Sequence, residues 1–446
     1  MKKLCYLIAF LLLIAAAIFF ANVRERVASV APAKSVASAV AEPLAVILTP
    51  MGGDDKADRD IADLQGKIRQ DRSANLLIER LGWAFIAKAR LSSDPGFYPL
   101  AEQAANVIRT RAPADPGAAL LLGHTYHAMH RFAEAEAVAR ELTAHRDFVF
   151  DYALLGDALM EQGKLGAAVD AYQKMVDLKP GLQSYSRIAH IRWLKGDLAG
   201  ALDASKLAAS SGSPREPEPL AWACTRLAFY ELESGDVESA LASLDRALQF
   251  AAGYAPALLM RGRALLAQGK TEDAIAPITT AADASPLPEY LWTLADALRA
   301  AGRETEAEGA EAKLQTSGAS SDPRTFALFL ASRGLDPALA TKLASSELAN
   351  RQDIFTYDAL AWSQFASGNI AEAQANMARA LAEGTQDARL FYHAGAIAAS
   401  AGDSRSALDF NTKAHRLELV LLPSERHQLG EQTAALTSTE SKVSSK

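Results

Sequence analysis

Apolar residues recur along most of this chain with the period of an α-helix. Tyr152, Leu155, Gly156 and Leu159 form one such stripe, because residues three or four positions apart share one face of a helix. Similar stripes follow one another from about residue 75 to about residue 420. The pattern predicts an all-α body built from consecutive amphipathic helices.

A glycine follows each predicted first helix and divides the body into units. A small residue lies seven positions before most of these glycines and an alanine five positions after, as Gly156 and Ala168 do around Gly163. A glycine at a helix end adopts the left-handed backbone conformation with little strain. Two helices cannot bury an apolar stripe alone, so neighbouring units are expected to stack. The marker glycines are Gly163, Gly196, Gly235, Gly269, Gly302, Gly334, Gly368 and Gly402, spaced by 33, 39, 34, 33, 32, 34 and 34 residues.

These features resemble the tetratricopeptide repeat. The period near 34, the small-residue and alanine positions, and the prolines that end second helices, such as Pro180 and Pro286, carry the resemblance. It covers roughly residues 75–420, about nine or ten units. It implies an α-solenoid superhelix of helix pairs whose first helices line a concave groove. Insertions near residues 92–96 and 210–214 depart from the pattern.

The first residues indicate a membrane segment. Lys2 and Lys3 precede an uncharged apolar run over residues 4–21, and eighteen helical residues span roughly 27 Å, about the thickness of the bilayer core. Residues 1–23 are therefore predicted to be a signal anchor or a signal peptide. Phe19 is poorly placed for cleavage after Ala21, which favours the anchor. The lysines predict a cytoplasmic N-terminus. The body would then lie on the periplasmic face of the inner membrane, or be periplasmic or secreted if the signal is cleaved.

The remaining boundaries come from composition. Small residues and scattered prolines over residues 24–56 predict a disordered linker, followed by the solenoid over 57–420. Residues 421–436 are expected to form a capping helix and residues 437–446 a disordered tail.

Composition and charge exclude several function classes. Apolar residues make up 50% and charged residues 22% of the chain, which suits a folded protein. The formal net charge is −7 with no block of Lys or Arg, so no nucleic-acid partner is expected. Two cysteines, Cys5 and Cys224, exclude a disulfide framework and a cysteine-rich zinc site.

Three motifs suggest chemistry but fit the helical repeat better. Gly269-Lys270-Thr271 resembles the end of a phosphate loop, yet it follows a predicted helix instead of a strand, so no nucleotide is expected. His124, His127 and His130 are spaced by three, but only the first two share a face, so no metal is expected. The acidic residues are interpreted as solvated helix faces. We predict no catalytic residue, no cofactor and no enzymatic activity.

The resemblance implies which positions of the first helices face the groove. Aromatic side chains in a concave surface suit a peptide or helix partner; the alternative is that the rings only fill space between neighbouring helices. The lysine and asparagine set with which some family members clamp a C-terminal carboxylate is missing here. Transferred to this sequence, the groove positions give these candidate partner-binding residues: His124, His127, Asp157, Met160, His190, Trp193, Trp222, Phe229, Arg263, Trp292, Asp296, Arg299, Trp362 and Phe365.

The resulting hypothesis is a non-enzymatic scaffold that binds a segment of another protein in its groove and contacts the membrane through its N-terminal helix. The alternative is a component of a cell-envelope assembly or secretion machine for polysaccharide, pilus or protein export.

Overall fold

A computed structural model describes the backbone of residues 43–444 and the side chains of residues 43–438. The predicted anchor and most of the predicted linker lie outside the described residues. Within residues 43–444 the regular structure is entirely helical. The α-helices are α1 Pro43–Ile47, α2 Lys56–Gln70, α3 Asn75–Ser92, α4 Phe97–Arg111, α5 Pro116–Ala128, α6 Phe132–His145, α7 Val149–Glu161, α8 Leu165–Leu178, α9 Leu182–Leu194, α10 Leu198–Ser211, α11 Pro217–Glu233, α12 Val237–Phe250, α13 Ala255–Ala267, α14 Thr271–Ala284, α15 Pro288–Ala300, α16 Glu304–Ser321, α17 Pro323–Arg333, α18 Pro337–Leu348, α19 Ile354–Ala366, α20 Ile370–Ala380, α21 Ala388–Ser400, α22 Ser404–Arg416 and α23 Pro423–Ser444.

Helices α3 to α22 form ten antiparallel pairs, in which each odd-numbered helix packs against the even-numbered helix that follows. The turn inside a pair holds the marker glycine. All eight marker glycines have positive φ, between 62° and 86°, and His130 takes the same conformation with φ 58° in the turn between α5 and α6. The predicted role of these glycines as left-handed helix ends is confirmed.

Small residues in the first helices let the paired helices approach closely. A Cβ atom on Gly156 would lie 2.2 Å from Cε1 of Tyr172, and one on Gly262 would lie 2.1 Å from Cγ1 of Ile278. Neither distance is possible without displacing the partner side chain. Ala168 is also fully buried, so the predicted packing of each pair is confirmed at these positions.

The odd-numbered helices form the inner layer of the solenoid. Contacts between successive odd-numbered helices join α3 to α5, α5 to α7, α9 to α11, α11 to α13, α13 to α15, α15 to α17, α17 to α19 and α19 to α21. The concave face is therefore lined by first helices, as the resemblance implied.

The superhelix winds so tightly that it touches itself one turn later. The N–H of Gln352 donates to the carbonyl of Glu161 at 3.1 Å, and Arg351 forms an ion pair with the Glu161 carboxylate at 2.6 Å across 190 residues of sequence. Further along, the Thr385 hydroxyl donates to the carbonyl of Leu194 at 2.5 Å. The chain thus returns over itself after between five and six helix pairs, and the concave face becomes an enclosed interior.

The prediction of a disordered linker over residues 24–56 does not hold at residues 43–47, which form α1. Leu44 and Ile47 of α1 are buried, with α1 packed against α4, and the Gln65 amide donates to the carbonyl of Ile47 at 2.9 Å. These apolar side chains cover the open end of the solenoid, which explains why the segment is ordered. No helix within residues 43–444 has the length and apolar character needed to span a membrane.

The C-terminal boundaries also differ from the prediction. The predicted capping helix of residues 421–436 begins at Pro423 and continues to Ser444, through most of the predicted disordered tail 437–446. Residues 431–444 contain neither proline nor glycine to end the helix. Leu429 is fully buried and anchors α23 on the solenoid.

Candidate functional site

A cavity of about 270 Å³, partly open to solvent, lies on the concave face, and we call it the central chamber. Side chains from seven inner helices and from residues 420–422 line it. Five of the predicted groove residues meet here: His190, Trp193, Phe229, Arg263 and Trp292. The other lining residues considered below are Arg226, Glu233, Glu289, Arg324, Phe355, Asp387 and Arg389.

Aromatic rings form the apolar walls of the chamber. Trp193 is 3% exposed, and its ring meets Phe229 edge-on at 5.1 Å and stacks on Phe355 at 5.8 Å. Trp292 is also buried, with the guanidinium of Arg389 at 5.3 Å from its ring centroid. These tryptophans fill space between inner helices, and they also line the cavity on the concave face.

Three of the four arginines of the chamber are neutralised by carboxylates. Arg226 differs, because it forms no ion pair with any acidic residue that the structure describes; its Nη2 donates to the Tyr230 hydroxyl at 3.0 Å. The neutralised arginines pair as follows: Arg263 with Glu289 at 3.0 Å, Arg324 with Asp353 at 2.9 Å and Arg389 with Glu425 at 2.7 Å.

Residues 417–426, which we call the C-terminal segment, lie in the concave groove and close one side of the chamber. Nη2 of Arg263 donates to the carbonyl of Val420 at 3.0 Å. The N–H of Ser424 donates to the Asp296 carboxylate at 3.0 Å. Two predicted groove residues therefore bind main-chain groups of the protein's own segment.

Side chains of the C-terminal segment add to its attachment. Nη2 of Arg426 donates to the carbonyl of Leu266 at 3.0 Å, and Glu425 accepts from Arg389 and from the N–H of Leu422. Burial opposes the charged form of Glu425, but Arg389 outweighs burial and holds the pKa of this carboxyl below its ordinary value. Glu425 is thus a charged, fully partnered anchor.

Asp157 and Met160 belong to an internal network on the inner wall. The Asp157 carboxylate accepts from Nη2 of Arg187 at 2.6 Å and from the Tyr172 hydroxyl at 2.8 Å. Burial disfavours the charge, but Arg187 keeps the pKa of Asp157 below its ordinary value. The Met160 sulfur lies 3.8 Å from the same hydroxyl. This network joins two neighbouring units.

Two of the predicted histidines, His124 and His190, are uncharged residues of the inner wall. The His124 ring meets Trp83 edge-on at 5.2 Å, and the His127 ring meets Phe132 in the same way. Desolvation lowers the pKa of His124 to about 3 and that of His190 to about 3. In the part of the chain that the structure describes, no three His, Cys, Asp or Glu side chains are grouped so as to hold a metal ion.

The remaining predicted residues lie away from the chamber. Trp362 is 5% exposed and stacks between Phe365 and the ring of His393. Arg299 forms ion pairs with Glu304 and Glu311. Trp222 is 36% exposed, the most exposed of the five tryptophans.

Sequence reasoning missed several chamber residues. Arg226 and Glu233 were missed, although they lie three residues before and four residues after the predicted Phe229 on α11, a spacing that places all three on one helix face. That signal was available in the sequence. No comparable spacing in the sequence marks Arg324, Asp387 or the C-terminal segment, because they reach the chamber from other units.

Comparison with known families supports the tetratricopeptide type of the repeats. The family model described as "Tetratricopeptide repeat" matches residues 120–183 and 259–322. The first segment runs from within α5 to the start of α9, and the second runs from within α13 to the end of α16. No curated protein matches the chain.

Several solved structures are similar in fold. A thermophilic tetratricopeptide-repeat protein of Thermus thermophilus matches with 22% identity over 43% of this chain and 100% of its own, at a TM-score of 0.38. A tetratricopeptide-repeat protein of Parabacteroides merdae matches with 19% identity over 57% of this chain and 98% of its own, at 0.33. The human IFIT1 dimer with PPP-AAAA matches with 15% identity over 80% of this chain and 90% of its own, at 0.46.

Proposed function

We propose that this protein is a non-enzymatic interaction scaffold whose concave groove binds a short segment of a partner protein. The observation that carries the proposal is that the groove already holds such a segment, residues 417–426. Hydrogen bonds to main-chain groups of Val420 and Ser424 hold it there. Because every peptide offers these groups, a second chain can replace the segment.

The same contacts define what a partner segment needs. Leu421 and Leu422 are buried in the groove, and Glu425 lies three residues after Leu422 and pairs with Arg389. A matching partner would present two adjacent apolar residues followed three positions later by an acidic residue.

We also propose that the folded body is held on the periplasmic face of a bacterial inner membrane. The support is the basic start and the apolar run of residues 4–21. A partner in an envelope assembly or export machine would meet the groove on that side. Protease digestion of spheroplasts should remove the body while intact cells protect it, and N-terminal sequencing would show whether residues 1–23 are retained. A body protected in spheroplasts would contradict this placement.

Releasing the C-terminal segment is expected to open the groove to a peptide added in solution. The variant Glu425→Ala removes the buried carboxylate that accepts from half-buried Arg389, and losing a hydrogen bond to a charged group costs about 1.5–3 kcal/mol. A fluorescent peptide of residues 415–428 carries its own glutamate, so it restores the pair. Fluorescence anisotropy should show at least tenfold tighter peptide binding to this variant than to the unmodified protein.

The control variant is Glu431→Ala, because Glu431 is exposed and contacts only His427 on the same helix. Its peptide affinity should equal that of the unmodified protein. Adding Arg263→Ala to Glu425→Ala should weaken peptide binding again, since the Val420 carbonyl loses its donor. If the peptide binds Glu425→Ala no better than it binds the control, the groove is not a peptide site.

A further inference from the structure

The central chamber contains a buried carboxyl group with an oxygen that finds no hydrogen-bond partner among the described residues. Glu233 of α11 is 2% exposed and lines the cavity. Its Oε2 atom has no hydrogen-bond partner, and its side chain forms no ion pair with any residue that the structure describes. Leaving a buried polar group without a partner is unfavourable, because the group has given up its hydrogen bonds to water. In a cavity, such a group points to a missing ligand.

A second carboxyl lies close to Glu233. Asp387 caps α21 by accepting from the N–H of Leu390 at 2.9 Å, and it also lines the chamber. Burial, and after it the negative charge of Asp387, raises the pKa of Glu233 well above its ordinary value. A cation bound between these two carboxyls would relieve both the desolvation and the repulsion.

The chamber also contains one positive charge without a carboxylate among the residues that the structure describes. Arg226 lies seven residues before Glu233 on α11, so the two share a helix face about 10.5 Å apart along the axis. The guanidinium donates to Tyr230 and contacts His190, which leaves donors available. The indole N–H of Trp193, also in the chamber wall, has no acceptor within the described part of the chain.

The size and lining of the chamber limit the ligand to a small molecule. Its volume of about 270 Å³ lies at the lower end of the range for ligand pockets. Its walls combine four large aromatic rings with charged side chains, and the chamber reaches solvent beside Glu289, which is 52% exposed. The other three arginines already have carboxylate partners. The remaining charged groups of the chamber are Arg226 at one end and the carboxyls of Glu233 and Asp387 at the other.

We propose that the central chamber binds a small zwitterion of the amino-acid and short-peptide class. The ammonium group of the ligand lies at Glu233 and Asp387, and its carboxylate lies at Arg226 and the indole N–H of Trp193. Such a ligand is neutral overall, so it satisfies both ends of the chamber without importing net charge. The separation of two helical turns favours a dipeptide over a single amino acid. This site does not depend on displacement of the C-terminal segment, which forms one of its walls.

The test is isothermal titration calorimetry on the full chain with alanyl-alanine, glycine, N-acetyl-alanyl-alanine and alanyl-alanine amide. Alanyl-alanine is expected to bind most tightly. Blocking its amine or its carboxylate should each weaken binding at least tenfold. The inference is overturned if no unblocked probe binds, or if the acetylated dipeptide binds as well as the free one.

Two variants assign the ends of the ligand. Glu233→Gln should weaken alanyl-alanine binding at least tenfold, and Arg226→Gln should do the same. The matched control is Glu231→Gln: Glu231 is buried on the same helix and also has an unpartnered oxygen, but it does not line the chamber. Its affinity should stay within twofold of the unmodified protein. Equal affinities for Glu233→Gln and Glu231→Gln, with unfolding temperatures showing both variants folded, would refute the site.

Discussion

Replacing Trp362 by alanine is expected to lower the free energy of unfolding by about 3–5 kcal/mol, the range for deleting a large buried aromatic side chain. The ring stacks on Phe365 at 4.8 Å and on His393 at 3.9 Å between centroids, and its N–H donates to the Ser332 hydroxyl at 2.9 Å. The substitution therefore leaves a cavity and an unpaired hydroxyl acceptor. Urea denaturation followed by far-ultraviolet circular dichroism measures the change.

The matched control is Trp222→Ala, because this tryptophan is 36% exposed and borders no comparable stack among the described residues. Its cost should stay below about 1 kcal/mol. Equal losses in the two variants would mean that the inner helices are not packed as described. The contrast also matters for partner-binding assays. A loss of binding by Trp362→Ala would include the effect of destabilisation, whereas a loss of binding by Trp222→Ala would reflect the missing side chain itself.

Replacing Gly163 by alanine is expected to destabilise the protein far more than the same change at Gly269. Both glycines have left-handed backbone, with φ 71° and 74°, so both substitutions cost roughly 1–2 kcal/mol in backbone strain. A Cβ atom on Gly163 would also lie 2.3 Å from the carbonyl oxygen of Gln352, while no described atom lies within 4 Å of one on Gly269. Forcing the two superhelical turns apart should cost about 1–3 kcal/mol more.

Two measurements check this difference. Denaturant unfolding gives the two free energies, and hydrogen exchange reports the N–H of Gln352, which donates to the carbonyl of Glu161. Faster exchange of this N–H in Gly163→Ala, but not in Gly269→Ala, would show that the contact between turns has opened. Identical exchange and identical stability in the two variants would show that the superhelix does not close on itself.

The helix pairs could be predicted because their signals are local. A marker glycine such as Gly163 must adopt positive φ, and a small residue such as Gly156 must admit the ring of Tyr172. Both requirements act within about twenty residues, and both repeat in successive units. The phases taken from the family also placed Trp193 and Trp292 correctly on the inner layer.

The site could be predicted only in part because its charges come from distant units. Arg226 and Glu233 lie on one helix, but Asp387 and Arg389 reach them from the start of α21, five helix pairs further along. The C-terminal segment joins from the end of the chain, and the repeat pattern contains no trace of it. Helix α1 was predicted as linker for a similar reason. Its few apolar residues are buried only once the first pairs have formed.

The amino-acid sequence alone determined the period of the helices, the positions of their turns and the residues on each inner face. Tertiary structure decided that the superhelix overlaps itself, that its interior becomes a chamber, and that residues 417–426 occupy the groove. The reason is physical. Each helix pair adds a small rotation set by side-chain packing, and only the sum of five or more such rotations brings Glu161 against Gln352.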